Sequence, residues 1–354
     1  MIQGITRNLD FLAARLHGRH SRMAKGARLE ALCRVRSLPH FASEVWSGAD
    51  TGSATEIQRR LVQDLAEEMA GIAAQLSSAG AALLRWRVVR FQVENLKVIV
   101  RCLMAGVQPA SWLPHLVTLP RQFALDAETL ATARTLDQLV QLLPRGPLRR
   151  SLGEAVGRYR AESHPFFLEA VLDRAYFVEL LARTDALHGE DKELVTPLVH
   201  QEIDTFHLAL VARGRFGHRL AAEALLPLHV SGTGIPRERF AAMLTDPDLR
   251  TATSRALGRV LDRLPRAPGE SSGDSGSIVP ADLEPLAGQR CLRLANRAFR
   301  RSHMGLAAVV AFVEMRRVEV ANLITLSEGI RAQLPERQLR SRLSPRPSLE
   351  VPHV

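Results

Sequence analysis

At 354 residues the chain is long enough for two or three units of ordinary domain size, and 46% apolar with 24% charged residues excludes an intrinsically disordered chain. Aromatic residues make up only 5% while Leu, Ala and Arg dominate, which favours helix over strand and predicts an all-α fold. The net charge of +10 invites a nucleic-acid reading, but Arg supplies nearly all of it, Lys25, Lys97 and Lys192 being the only lysines.

The N-terminal stretch lacks an apolar run followed by a small-residue cleavage site, so no leader is expected. Residues 7–40 read as one or two polar-faced helices carried by Leu9, Leu12, Leu16, Leu29 and Leu32. A loop at 47–55 precedes a helix over 56–76, and SSAG at 77–80 reads as a break. The stretch 81–105 spreads Trp86, Val89, Phe91, Leu96 and Val100 over most sides of a helix, the mark of burial between neighbours, and Gly106 with Pro109 supplies its stop. Shorter helices follow over 127–143 and 148–160. A helix over 166–187, a loop at HGED (188–191) and a long helix over 197–213 come next, then the SGTG turn at 231–234 and a short helix from Ile235. The Pro/Gly/Ser-rich stretch 265–280 has the composition of a flexible insertion, helical patterning resumes over 281–343, and the tail 344–354 is frayed. The most apolar run, 305–313, is cut by Glu314 and is well short of the ~18 residues of a spanning helix.

Three helices carry a similar pattern around Asn95, His207 and Asn322, at near-equal intervals of 112 and 115 residues. Each polar residue is followed directly by Leu and, six residues on, by Arg101, Arg213 or Glu328. Downstream, LDAETL, IPRERF and LPERQL look like matching helix starts. A period above a hundred residues is too long for a solenoid and suggests three helical modules, 1–152, 153–264 and 281–343, set side by side.

The segments FLAARLHGRHSRM (11–23), FQVENLKVIVRCLMAG (91–106), HQEIDTFHLALVARGRFG (200–217) and 313–343 resemble the C subunit of bacterial and archaeal V/A-type rotary ATPases, a relative of the eukaryotic d subunit. The strongest likeness is FLEAVLDRAYFVELL (167–181), whose Leu172 to Tyr176 run looks like that family's central signature. The resemblance implies a pseudo-three-fold funnel on the cytoplasmic face of the proteolipid ring, peripheral to the membrane, receiving the central shaft in its cavity. Such a protein has no catalytic residues, cofactor or metal of its own, and is not an obligate homo-oligomer. It passes torque between ATP hydrolysis or synthesis and proton or sodium transport. His207 stands where Asn is more usual and Glu328 replaces a basic residue, while Arg101 and Arg213 become candidates for the shaft or ring interface.

Competing chemistry is sparse. No G-x-x-x-x-G-K-[ST] cradle for phosphate occurs, and Ser231 to Gly234 reads as a plain loop. Cys33, Cys102 and Cys291 lack any C-x-x-C spacing, which argues against zinc or a disulfide framework and fits a reducing setting. His17 with His20 lacks a third ligand. His200, Asp204 and His207 share a helical face that suits a metal or an acid–base pair in an all-α enzyme, but the repeat favours a structural hydrogen bond at His207. Glu67 and Glu68 read as a solvated face. A basic all-α nucleic-acid-binding or scaffold protein is the alternative function, although nucleic acid is not expected as a partner.

Overall fold

The computed structural model describes residues 2–48, 51–76, 78–157, 164–257 and 280–344. It is all-α: 76% is helical and no strand occurs among the described residues. The longest helices are α1 (Ile2–His20), α2 (Ala54–Ala73), α3 (Ser78–Met104), α4 (Phe166–Asp185), α5 (Gly189–Ala209), α6 (Pro280–Ser302) and α7 (Leu306–Arg331). Short helices fill the connections, among them Ala127–Ala131, Pro147–Val156, Arg237–Thr245 and Glu336–Arg342. α6 lies along α7 and against α5, α3 is held between α2 and α4, and α2 packs on α7. The expected insertion and tail lie outside the described residues, apart from Pro280 and Ser344.

The deepest element is the start of α7, where every residue from Leu306 to Met315 is buried. A helix apolar all round must be enclosed, and Ala307, Ala308 and Ala311 let neighbouring backbones close on it. Gly80 belongs to this crossing: a Cβ there would stand 2.9 Å from the Leu306 side chain. The expected break is present but earlier, since α2 ends at Ala73 and α3 begins at Ser78 with φ 54°, so Gly80 lies inside α3 and serves close packing. All of HGED but His188 is also helical, as Gly189 opens α5 with Glu190 and Asp191 favourably placed in its first turn, and Pro197 sits inside the helix. The 281–343 segment divides at His303, whose φ of 46° turns the chain between α6 and α7.

Helix ends show why the three long helices read alike. α3 closes in a Schellman arrangement: Gly106 takes φ 65°, its N–H donates to Leu103 O at 3.2 Å, and Val107 N–H donates to Cys102 O at 2.9 Å. α7 closes the same way on Gln333, with φ 53°, bonding Ile330 O at 3.1 Å, and Leu334 N–H reaches Gly329 O at 2.8 Å. α5 instead runs into a π-helical segment, Leu210–Gly217, and leaves through Arg219 at φ 55°. A Cβ at positive φ is strained, so Gln333→Gly is expected to raise and Gly106→Ala to lower stability, each by about 1 kcal/mol. Urea unfolding of the two variants beside the parent checks both signs.

Candidate functional site

Asn95 lies in the second half of α3, and its carboxamide pairs with a peptide unit farther along: Nδ2 donates to Val117 O and Oδ1 accepts from Val117 N–H, both at 2.9 Å across 22 residues. Asn322 on α7 does the same with Ser344, at 2.6 and 2.9 Å, again across 22 residues. A carboxamide suits this because its donor and acceptor stand side by side like those of a peptide. On α5, His207 Nε2 accepts from Val230 N–H at 3.0 Å across 23 residues. The additional residue falls in the stretch containing the π-helical turns, which hold one residue more than an α-helical path of equal span.

An imidazole nitrogen can accept but cannot also donate from the same atom, so His207 makes half of the asparagine pair and carries its proton on Nδ1. Its ring stacks on His229 at 4.5 Å, and His229 Nε2 donates to Ile235 O at 2.8 Å. Burial, with the neighbouring His229, pushes the His207 pKa down to about 3. Asp204 Oδ1 accepts from Ile235 N–H at 3.1 Å. Two of the three residues on the suspected acid–base face thus hold the 230–235 loop. Among the described residues no three His, Cys, Asp or Glu side chains are placed to hold a metal ion. His17 and His20 lie against the Phe299 ring at 4.4 and 4.7 Å. Glu67 is exposed as expected, but the solvated-face reading fails for Glu68, which grips Arg19 at 2.6 Å and Arg316 at 2.8 Å.

The same three helices share a charged hub. Arg87 of α3 meets Glu202 of α5 at 3.2 Å and Glu314 of α7, while Arg317 of α7 meets the same carboxylates at 2.7 and 3.0 Å. The Arg87 and Glu314 side chains are only 1% and 3% exposed. Charges alternate around the cluster, and each carboxylate is shared by two guanidiniums. Burial works against the charge of Arg87, but Glu314 and Glu202 outweigh it and its pKa is raised. Burial likewise opposes the charge of Glu202, but Arg317, Arg87 and Arg90 together hold its pKa below the usual range. A second cluster adjoins the hub, with Asp173 of α4 accepting from Arg90 and Lys97, both at 2.6 Å.

An open cavity of about 560 Å³ lies beside these clusters, walled by α3 to α7 with Lys97, Asp173, Glu202, Arg213 and Arg317 on its lining. Of the three interface candidates only Arg213 is there. Arg101 pairs with Glu169 at 2.9 Å, and Glu328 accepts from Gln58 and Arg331 at 2.5 and 2.8 Å on the α2 side. The structure does not bring the three together. Sequence reasoning missed Arg87, Glu202, Glu314 and Arg317, although a signal was present. Arg90, Glu202 and Arg317 each stand five residues before an anchor, and Arg87 and Glu314 eight before theirs. The pairing of LPERQL with LDAETL and IPRERF is corrected. LPERQL precedes the bonded residue Ser344, whereas the other two follow Val117 and Val230.

The family model described as ATP synthase (C/AC39) subunit matches residues 12–342. The C subunit of the A-type ATP synthase of Methanocaldococcus jannaschii is 20% identical over 344 residues, covering 94% of this chain and 85% of the relative. The protein of the same name in Thermococcus kodakarensis is 22% identical over 219 residues, 59% of this chain and 58% of its own length.

Removing one partner from a buried ion cluster strands the others. Arg87→Leu is expected to lower stability by about 3–5 kcal/mol, and Arg87→Leu with Glu314→Leu to recover more than half of that. Chemical denaturation of both variants measures the difference. The folded-state pKa of His207, about 3, lies below its unfolded value of 6.5. Its contribution is therefore complete above pH 6.5 and falls as the pH drops toward 3, by roughly 1.4 kcal/mol per unit. His207→Gln keeps an acceptor without the titration, so its stability should decline less steeply across that window.

Proposed function

The chain belongs to the ATP synthase (C/AC39) subunit family, and on that premise we propose that it is the non-catalytic adaptor of a V/A-type rotary complex. It joins the proteolipid ring in the membrane to the central shaft and passes torque between ATP chemistry and ion translocation. The observation that carries this reading is the recurrence of one anchor on three long helices, α3, α5 and α7, that share a charged hub beside an open cavity. Three related modules, 1–152, 153–264 and 281–343, set around such a junction form a pseudo-three-fold socket. Asn95, His207 and Asn322 occupy its equivalent positions.

An inserted helical end needs apolar contact for affinity and surrounding charge for orientation. The cavity offers both, with Phe177, Val318 and Ala321 beside Lys97, Arg213 and Arg317. A hub whose charges are tied across three helices resists shear at the socket base, as torque transfer requires. Among the described residues no helix is long and apolar enough to cross a membrane. The proposed seat is peripheral, on the cytoplasmic face of the ring.

Binding of the purified shaft proteins, followed by calorimetry, tests the socket. Ala321 is exposed on the cavity wall, so Ala321→Trp should weaken shaft binding about tenfold or more without lowering the melting temperature. Arg213→Gln should weaken it as well, because Arg213 lines the cavity, and Arg101→Gln less, because Arg101 does not. Unchanged affinity in both Ala321→Trp and Arg213→Gln would move the shaft elsewhere. No binding to shaft or ring by the parent chain would end the adaptor reading.

A further inference from the structure

Helix α6 displays Arg290, Arg293, Arg297 and Arg300 on its outer side, and their 3-4-3 spacing aligns them along one face. All four are exposed. Arg301, next in line, pairs with Glu190 and Glu193 at 3.3 and 3.7 Å, whereas the other four make no ion pair among the described residues. Some other exposed arginines, Arg19, Arg101, Arg255 and Arg331, each hold a carboxylate, so what marks the α6 row is its alignment on one face. No Asp or Glu occurs between Glu284 and Glu314, so nothing local in sequence neutralises the row. At its C-terminal end Lys25 stands 3.0 Å from His20, which lies on Phe299. Burial first, then Lys25, His17 and Arg300, lowers the pKa of His20, and no carboxylate counters them.

The opposite side of α6 is fixed, with Ala295, Ala298 and Phe299 buried in the core. The guanidiniums are therefore presented from a rigid rod, at intervals of about one helical turn over roughly 15 Å. We infer that this face docks an acidic helical segment of a protein partner, whose carboxylates repeat at the same 3-4-3 spacing. Guanidinium forks match carboxylates in pairs, and two helices with one pitch keep register over three turns. A lipid surface is a poorer match, since interfacial helices set large apolar residues beside their cations. Among the described residues of α6 itself no large apolar side chain is exposed. α6 gives Gly288 and Cys291 to the central cavity from another side, so the inference does not rest on the adaptor reading.

The test uses the full chain with two synthetic 21-residue helical peptides of identical composition, one with Glu at 3-4-3 spacing and one with Glu scattered around the helix. Fluorescence anisotropy in 0.1 M salt should show the striped peptide bound about tenfold more tightly. Replacing Arg290, Arg293, Arg297 and Arg300 with Gln should remove at least that tenfold, while a charge-matched variant carrying Gln at Arg121, Arg134, Arg145 and Arg150 stays within about threefold of the parent. Should the α6 variant not fold, Arg293→Glu and Arg297→Glu singly are each expected to weaken striped-peptide binding about threefold or more. Equal affinity for the two peptides, or equal loss in the charge-matched variant, would reduce the face to a general polycation and overturn the inference. Stronger retention by phosphatidylglycerol vesicles or duplex DNA than by the striped peptide would overturn it too.

Discussion

Four charges, two of them fully buried, hold the middle of this protein together. Arg87, Glu202, Glu314 and Arg317 come from three helices that are far apart in sequence, and each carboxylate touches two guanidiniums. Such clusters add little net stability, because desolvation offsets most of the Coulombic gain. What they add is discrimination. A helix shifted by one residue turns its charge by about 100° into an apolar wall, which no compact alternative can accommodate cheaply. The apolar start of α7, nearly featureless along its surface, needs such a marker to fix where α3 and α5 cross it.

The anchors perform a matching task at the helix ends. Asn95 and Asn322 each hold a returning segment by one peptide-like pair, and His207 does so by half of one. Where α5 takes an additional residue, the π-helical turns absorb it before the chain returns to Val230. The anchor geometry is kept although the path leading to it differs.

The helices and the anchors are legible in the sequence because both are written in local patterns: apolar periodicity, a polar residue before Leu, and glycine at a helix end. Where local pattern and tertiary demand part, sequence and structure disagree. Gly80 looks like a break because glycine is a poor helix former, yet its lack of a Cβ serves the crossing with Leu306. Glu68 looks solvated because its partners, Arg19 and Arg316, lie in other helices. The hub is hidden for the same reason. A buried arginine and an exposed one look identical in sequence, and only their shared offset from the anchors tells them apart.

The hub also governs the order in which the chain can become itself. Its members are spread from Arg87 to Arg317, so the first segment to emerge during synthesis carries Arg87 and Arg90 long before Glu314 exists. Before α7 is made, Arg87 has Glu202 of α5 as a carboxylate partner but not Glu314, so the junction is only half built. Segments far apart along the chain are therefore fully joined at this junction only when α7 is present. A copy ending before α7 lacks Glu314 and Arg317, half of the charges that meet at the junction.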